Sequence, residues 1–137
     1  MHLIVTRSFP PELGGMQNLM WGLSRELSKN FMIKVFADFI EGHKDFDEQC
    51  SFTIERVGGI KLLRKYRKAQ LINEYIKDNN IEGIIADHWK SLELIKTLKK
   101  KYCLIHSKEI NHTKGSSINK RVVKVLNSCE KVIANSK

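Results

Sequence analysis

Short β-rich apolar runs recur along the chain at Leu3–Val5, Met32–Ala37, Gly83–Ala86, Tyr102–Ile105 and Lys131–Ala134, and amphipathic segments separate them. Leu3-Ile4-Val5 shows no polar alternation, the pattern of a strand covered on both faces in a parallel sheet. Met16, Leu19, Met20, Leu23 and Leu27 then fall at helical spacing, and a strand, a helix and the strand Met32–Ala37 make a right-handed βαβ unit. Gly22 inside that helix costs about 1 kcal/mol relative to Ala, so its presence predicts close contact between helix and sheet. The polar, acidic stretch 38–51 reads as a surface loop. Phe52–Val57 reads as an outer strand because Glu55 and Arg56 need a face near water. A long helix opens in the basic run Lys61–Lys68, carries Leu62, Tyr66, Ala69, Ile72 and Ile76 on one face, and ends at Asn79-Asn80. Ser91 is a reasonable N-cap for a helix bearing Leu94, Ile95 and Leu98 and ending in Lys99–Lys101. After a loop at 111–117, Ile118, Val122, Val125, Leu126 and Cys129 mark another helix.

These periods add up to about six strands and four helices in one domain spanning 1–137. The fold class is α/β: a doubly wound, mostly parallel sheet with helices on both faces. In such sheets ligands bind beyond the carboxyl ends of the strands, where the strand order reverses. Three loops leave from that end: Thr6–Met16 after the first strand, Asp87-His88-Trp89, and His106-Ser107-Lys108-Glu109. In the first of them Pro10 and Pro11 hold the backbone extended, giving a stiff arm. Gly14 and Gly15 allow a sharp turn and close approach of a ligand to the backbone, and the following helix offers unpaired N–H groups. A glycine pair that merely joins strand to helix is the plainer alternative.

A formal charge of +9, from 24 Lys and Arg against 15 Asp and Glu, favours an anionic partner such as a nucleotide, a nucleic acid or a lipid surface. Cys50, Cys103 and Cys129 are widely spaced and form no CxxC, which suggests neither a disulfide frame nor a zinc site and fits a reducing, cytoplasmic setting. No apolar run approaches the about 18 residues that span a bilayer, and the amino terminus enters a strand without a signal core. G-x-G-x-x-G, the Walker pattern, G-x-S-x-G and H-E-x-x-H are all absent. Asp38 ends the second strand where a ribose ligand could sit, but it lacks the glycines that would make it a dinucleotide site.

Phe9-Pro10-Pro11-Glu12-Leu13-Gly14-Gly15-Met16, with the helix that follows, resembles the opening F-P-P-x-x-G-G of the family-4 retaining glycosyltransferases, which have the GT-B fold of two Rossmann-like domains. Ile84–His88 resembles that family's strand ending in His. Cys103-Leu-Ile-His106-Ser-Lys-Glu109 resembles its V-x-x-x-H-G-x-[DE] segment, and Cys129–Ser136 resembles A-D-x-V-I-A-x-S, where its amino-terminal domain closes. Cys129-Glu130 in place of Ala-Asp and Ser107 in place of Gly depart from the pattern. The resemblance implies an acceptor-side half whose partner, a carboxyl-terminal domain with an E-x7-E segment, is absent from this chain.

By the same likeness, Gly14, Gly15 and Met16 lie by the diphosphate of a nucleotide-sugar donor and His106 is the catalytic residue near the donor sugar. Arg7, Glu12, His88, Lys108 and Glu109 line the acceptor side, for a glycan or glycolipid acceptor of the cell envelope. Neither a cofactor nor a metal is expected, because the nucleotide-sugar is a substrate. Leu62, Leu63 and Tyr66, interleaved with the charges of Lys61–Lys68, suggest peripheral contact with an anionic membrane. The rival is a non-catalytic α/β module for anionic membrane or RNA; the lack of aromatic platforms beside the basic run argues against nucleic acid. A sugar-nucleotide epimerase of related two-domain shape is a third reading.

Overall fold

The computed structural model describes residues 1–134, apart from the side chains of Ser107 and Glu109. Asn135 and Ser136, the end of the A-D-x-V-I-A-x-S likeness, lie outside the described residues. The elements in chain order are β1 (His2–Val5), α1 (Gly15–Ser28), β2 (Ile33–Asp38), α2 (His43–Glu48), β3 (Thr53–Val57), α3 (Lys61–Asp78), β4 (Gly83–Ala86), α4 (Trp89–Leu92), β5 (Lys100–Ile105), α5 (Ser107–Ile110), α6 (Ser117–Asn127) and β6 (Lys131–Ala134). One sheet holds all six strands in the order β3-β2-β1-β4-β5-β6. Every pairing is parallel. The doubly wound expectation is met, and β3 takes the expected edge, although Arg56 does not face water: its side chain is buried and paired with Asp47.

Side chains of each strand alternate between the two faces, and this splits the core in two. Leu3, Val5, Phe36, Ile84 and Ala86 point to one side, where Ile72 of α3, Trp89 and Leu92 of α4 and Val122 and Val125 of α6 cover them. Ile4, Val35 and Ala37 point to the other, beneath Met20 of α1 and flanked by Phe9, Phe46 and Phe52. This second face is only partly covered. Leu19, Leu23 and Leu27 of α1 form one wall of an open apolar groove, and Ile85 of β4, Tyr102 and Leu104 of β5 and Ile133 of β6 form its floor.

Four expectations need correction. The stretch 38–51 is not all loop: α2 forms within it, entered through Gly42 in the left-handed region at φ 77° and fastened by His43 Nδ1 and Asp47 Oδ2 at 2.8 Å. Periodicity missed it because a helix this short gains its stability from tertiary contacts, here Phe46 against Phe9 and Trp21.

The helix expected after Ser91 is only the single turn α4, and Leu98 is fully exposed. Asn73 of α3 takes the carbonyl of Leu94 at 3.0 Å and the N–H of Lys96 at 2.8 Å. Those backbone groups are thereby satisfied without a helix.

Gly22 contacts nothing within 4 Å where a Cβ would stand, so it marks no close approach of helix to sheet. Finally, the face predicted for the long helix holds only from Ala69 onward. Leu62 and Tyr66 are exposed, whereas Lys68 is buried.

Candidate functional site

Strand order reverses between β1 and β4, so the loops after these strands and after β5 leave one rim. Asp87 ties the rim together. Its Oδ2 accepts from the Thr6 hydroxyl at 2.9 Å and from the Arg7 N–H at 3.0 Å, and its Oδ1 accepts from the Ser91 hydroxyl at 2.8 Å. Thr6 and Asp87 are both buried, and a carboxylate held by three donors is satisfied there. Ser91 therefore serves Asp87 and not the helix end. The cap of α4 is His88, whose Nδ1 accepts from the Lys90 N–H at 3.0 Å.

That bond places the proton of neutral His88 on Nε2. Burial, reinforced by the Arg7 charge, pushes the imidazole down to about 4, and His106 stands near enough to disfavour its cationic form as well. Arg7, Asp87, His88, Lys90 and His106 thus share one electrostatic neighbourhood. His106 itself is half-buried in extended backbone at the end of β5, immediately before α5.

The arm from Thr6 to Gly14 does not run extended as its prolines predict: Pro10 and Pro11 lie in a turn, and side chains fasten the arm. Phe9 is 2% exposed and packs edge-on against Phe46 and Phe52. Arg56 donates to the Pro10 carbonyl while Asp47 grips its guanidinium at 2.6 and 3.0 Å. The Pro10-Pro11 bond is cis. Gly14 is extended at φ 163°, and Gly15, the first residue of α1, is exposed with open space over its Cα. The chain bends at Gly14, as expected of the pair, and does so through extended rather than left-handed backbone. The exposed amide end of α1 remains.

On the α3 side of the rim lies a cavity of about 500 Å³. Arg7, Lys61, Arg64, Lys65, Lys68, Lys90 and Arg121 line it, with Asp38 as the one lining carboxylate. Lys68 Nζ forms the floor: it donates to the Thr6 carbonyl at 2.8 Å and pairs with Asp38. Burial holds its ammonium below the ordinary lysine range, and Asp38 pulls it back up. Asp38 also meets Arg64 at 3.4 Å, so it is engaged by two cations and is not a waiting ribose ligand.

Of the residues singled out from sequence, Arg7, His88 and His106 come together at the rim, and Arg7 also lines the cavity. Gly14, Gly15 and Met16 stand at the start of α1 outside the cavity lining. Glu12 is exposed on the arm and Lys108 is exposed on α5. The side chain of Glu109 lies outside the described residues. Sequence reasoning passed over Asp87 and Lys68. The available signal for Asp87 was its position directly after a buried strand, matching Thr6 after its neighbour; for Lys68, it was the apolar row Leu71, Ile72, Tyr75 on the same side of α3.

Among the described residues, no group of three His, Cys, Asp or Glu is disposed to hold a metal ion, and no helix is long and apolar enough to cross a membrane. No protein-family model matches the chain, and no curated protein matches it in sequence. Among solved structures it is similar to the E. coli heptosyltransferase WaaC with ADP-2-deoxy-2-fluoro heptose, with a TM-score of 0.42 and 10% identity. That superposition covers 100% of this chain and 51% of the other, so the chain spans about half the length of that protein.

Proposed function

We propose that this domain is the amino-terminal, acceptor-side half of a retaining GT-B glycosyltransferase of the family-4 type, moving a sugar from a nucleotide-sugar to a glycan or lipid-linked acceptor in cell-envelope synthesis. The observation that carries the reading is the convergence of the loops after β1, β4 and β5, which puts Arg7, His88 and His106 on one rim at the strand-order reversal. The motif order along the chain supports it. Retaining transfer with little help from a protein nucleophile rests on positioning and on stabilising the departing phosphate. In this scheme the amides at Gly14, Gly15 and Met16 favour the negative charge of the donor diphosphate, which the second domain mainly holds. His106 hydrogen-bonds the donor sugar near the reacting carbon. His88, kept neutral, orients the acceptor through its Nε2 face without repelling cations beside it.

The test is sugar transfer from labelled nucleotide-sugars to envelope lipid and glycan extracts. It compares the 137-residue chain alone with the chain joined to a donor-binding domain. Turnover is expected only from the two-domain form. In that form His106→Ala lowers kcat by about a hundredfold while the melting temperature hardly moves. Turnover by the chain alone would sink the division of labour, an unchanged kcat would remove the role of His106, and failure of the two-domain form to consume any nucleotide-sugar would sink the transferase reading.

A further inference from the structure

The cavity beside α3 carries a charge pattern that neither stability nor the rim's own hydrogen bonding accounts for. Lys68 and Arg64 share the single carboxylate of Asp38, and Arg121 is held by Glu93 at 2.5 and 2.8 Å. Lys65 Nζ lies 4.8 Å from the Tyr66 ring centre and Lys90 Nζ 5.5 Å from that of Trp89, so both lining cations rest on aromatic rings. Lys61 is exposed at the start of α3. Like charges gathered round a concave surface repel one another and raise the local concentration of anions. A solvated helix face needs no cavity. This one has a fixed floor, because Lys68 is buried and bonded to the ends of β1 and β2.

The same cavity has an apolar side. Leu62, Ala69, Ile72 and Leu94 line it together with the cations. Leu62 is 82% exposed, and Ile60, Leu63 and Tyr66 continue the apolar surface around the first turns of α3. Large apolar side chains set among lysines and arginines at the mouth of a cationic pocket match an amphiphile with an anionic head, lying where an acyl or prenyl chain meets its headgroup.

We propose that this cavity binds the phosphate or diphosphate head of a lipid, with the head among Lys61, Arg64, Lys65 and Lys90 and the chain leaving past Leu62 and Leu63. The assignment rests on the transferase reading for its meaning, since it names the acceptor as a phosphate-headed lipid. Its test reads binding alone, so either can fail without the other. Head and chain arrive at the α3 side of the rim, and the anionic head occupies charges that Asp38 and Glu93 leave uncompensated.

The experiment is co-sedimentation of the 137-residue chain with phosphatidylcholine vesicles, pure or doped with phosphatidic acid, with inorganic pyrophosphate as competitor. Strong preference for the doped vesicles is expected, with displacement by pyrophosphate. Lys61→Glu/Lys65→Glu weakens binding by about thirtyfold or more. Leu62→Ser weakens vesicle binding and leaves pyrophosphate binding, read by calorimetry, unchanged. The control Lys44→Glu/Lys99→Glu makes the same change in net charge at exposed positions outside the cavity and costs far less. Equal losses in the two double variants would overturn the cavity in favour of general attraction to a basic protein. Pyrophosphate binding with no preference for doped vesicles would overturn the lipid as its source and leave a soluble phosphate ester. Tighter, steeply salt-dependent binding to a single-stranded oligonucleotide than to doped vesicles would overturn both.

Discussion

The two faces of the sheet are built from strands of similar composition, yet they end in opposite states. On the face of Leu3, Val5, Ile84 and Ala86, the helices α3, α4 and α6 extend across to β5, and the residues they meet are fully buried. On the face of Ile4, Val35 and Ala37, α1 and α2 cover only one half, and past α1 the apolar side chains of β4, β5 and β6 floor an open groove. The cause is connection handedness. With β1 inside the sheet, α1 and α2, on the connections toward β3, pack on one face and α3, α4 and α6, on those toward β6, pack on the other, as the right-handed rule for parallel crossovers requires. Polar chemistry gathers where the crowded face meets the rim, since α3 and α4 bring Lys68, Lys90 and Ser91 to the strand ends there. The open face offers Leu, Ile and Tyr instead.

The sharpest way to break this contrast is to remove a side chain from the crowded face. Ile72→Ala, in a site with no exposure, should lower unfolding free energy by about 4 kcal/mol in urea titrations; a loss below about 1 kcal/mol would mean that this face is not tightly packed. Next comes the knot at the rim. Asp87→Ala removes the acceptor shared by the Thr6 hydroxyl, the Arg7 N–H and the Ser91 hydroxyl, leaving Thr6 only its local bonds to Ser8, and should cost about 3 kcal/mol by the same measurement. A cost near zero would show that the loops after β1 and β4 are held by something else.

The third prediction concerns pH. His88 sits at about 4 in the fold against an ordinary 6.5, so the unfolded chain takes up a proton first as pH falls. Stability from this group is complete above about 6.5 and declines through the window down to about 4, by at most about 3 kcal/mol. Protonation also removes the Nδ1 acceptor from the Lys90 N–H. His88→Asn, which keeps an acceptor and cannot titrate, should flatten the profile between those limits; an unchanged slope would assign the decline to other groups. The smallest effect belongs to the open face. Ile133→Ala, half exposed at the groove, should change stability by less than about 0.5 kcal/mol in the isolated domain. A loss near that of Ile72→Ala would mean the groove is not open in solution.

Legibility from sequence followed the range of the interactions. The strands Gly83–Ala86 and Lys131–Ala134 could be bounded to the residue, because a short apolar run between breakers has few other fates. The segment 93–99 could not be read, since the competing partner of its backbone, Asn73, lies some 20 residues upstream on another element. Gly14 and Gly15 show the same limit. The bend at Gly14 was legible from the glycine pair, but the hold on the arm was not, because Phe9 and Arg56 fasten it against α2, an element the periodicity did not reveal. At the site, His88 and His106 were visible as strand-end histidines. Asp87 beside His88 carried no mark of its role, because the three donors that define it come from the loop after β1 and from α4.

By itself, then, the sequence determined the doubly wound class, the edge position of β3 and the rim to which the strand-end loops go. The class and the rim follow from the period and order of the apolar runs, and the edge position from the charges within Phe52–Val57. The tertiary structure alone decided which charges meet. Lys68 reads as one more lysine in a basic run, and only the packing of α3 on β1 and β2 buries it against Asp38 and the Thr6 carbonyl. Charge pairing depends on distances in space, for which hydropathy along the chain carries no term. The cationic cavity and the half-covered sheet therefore emerged only once the helices were laid on their faces.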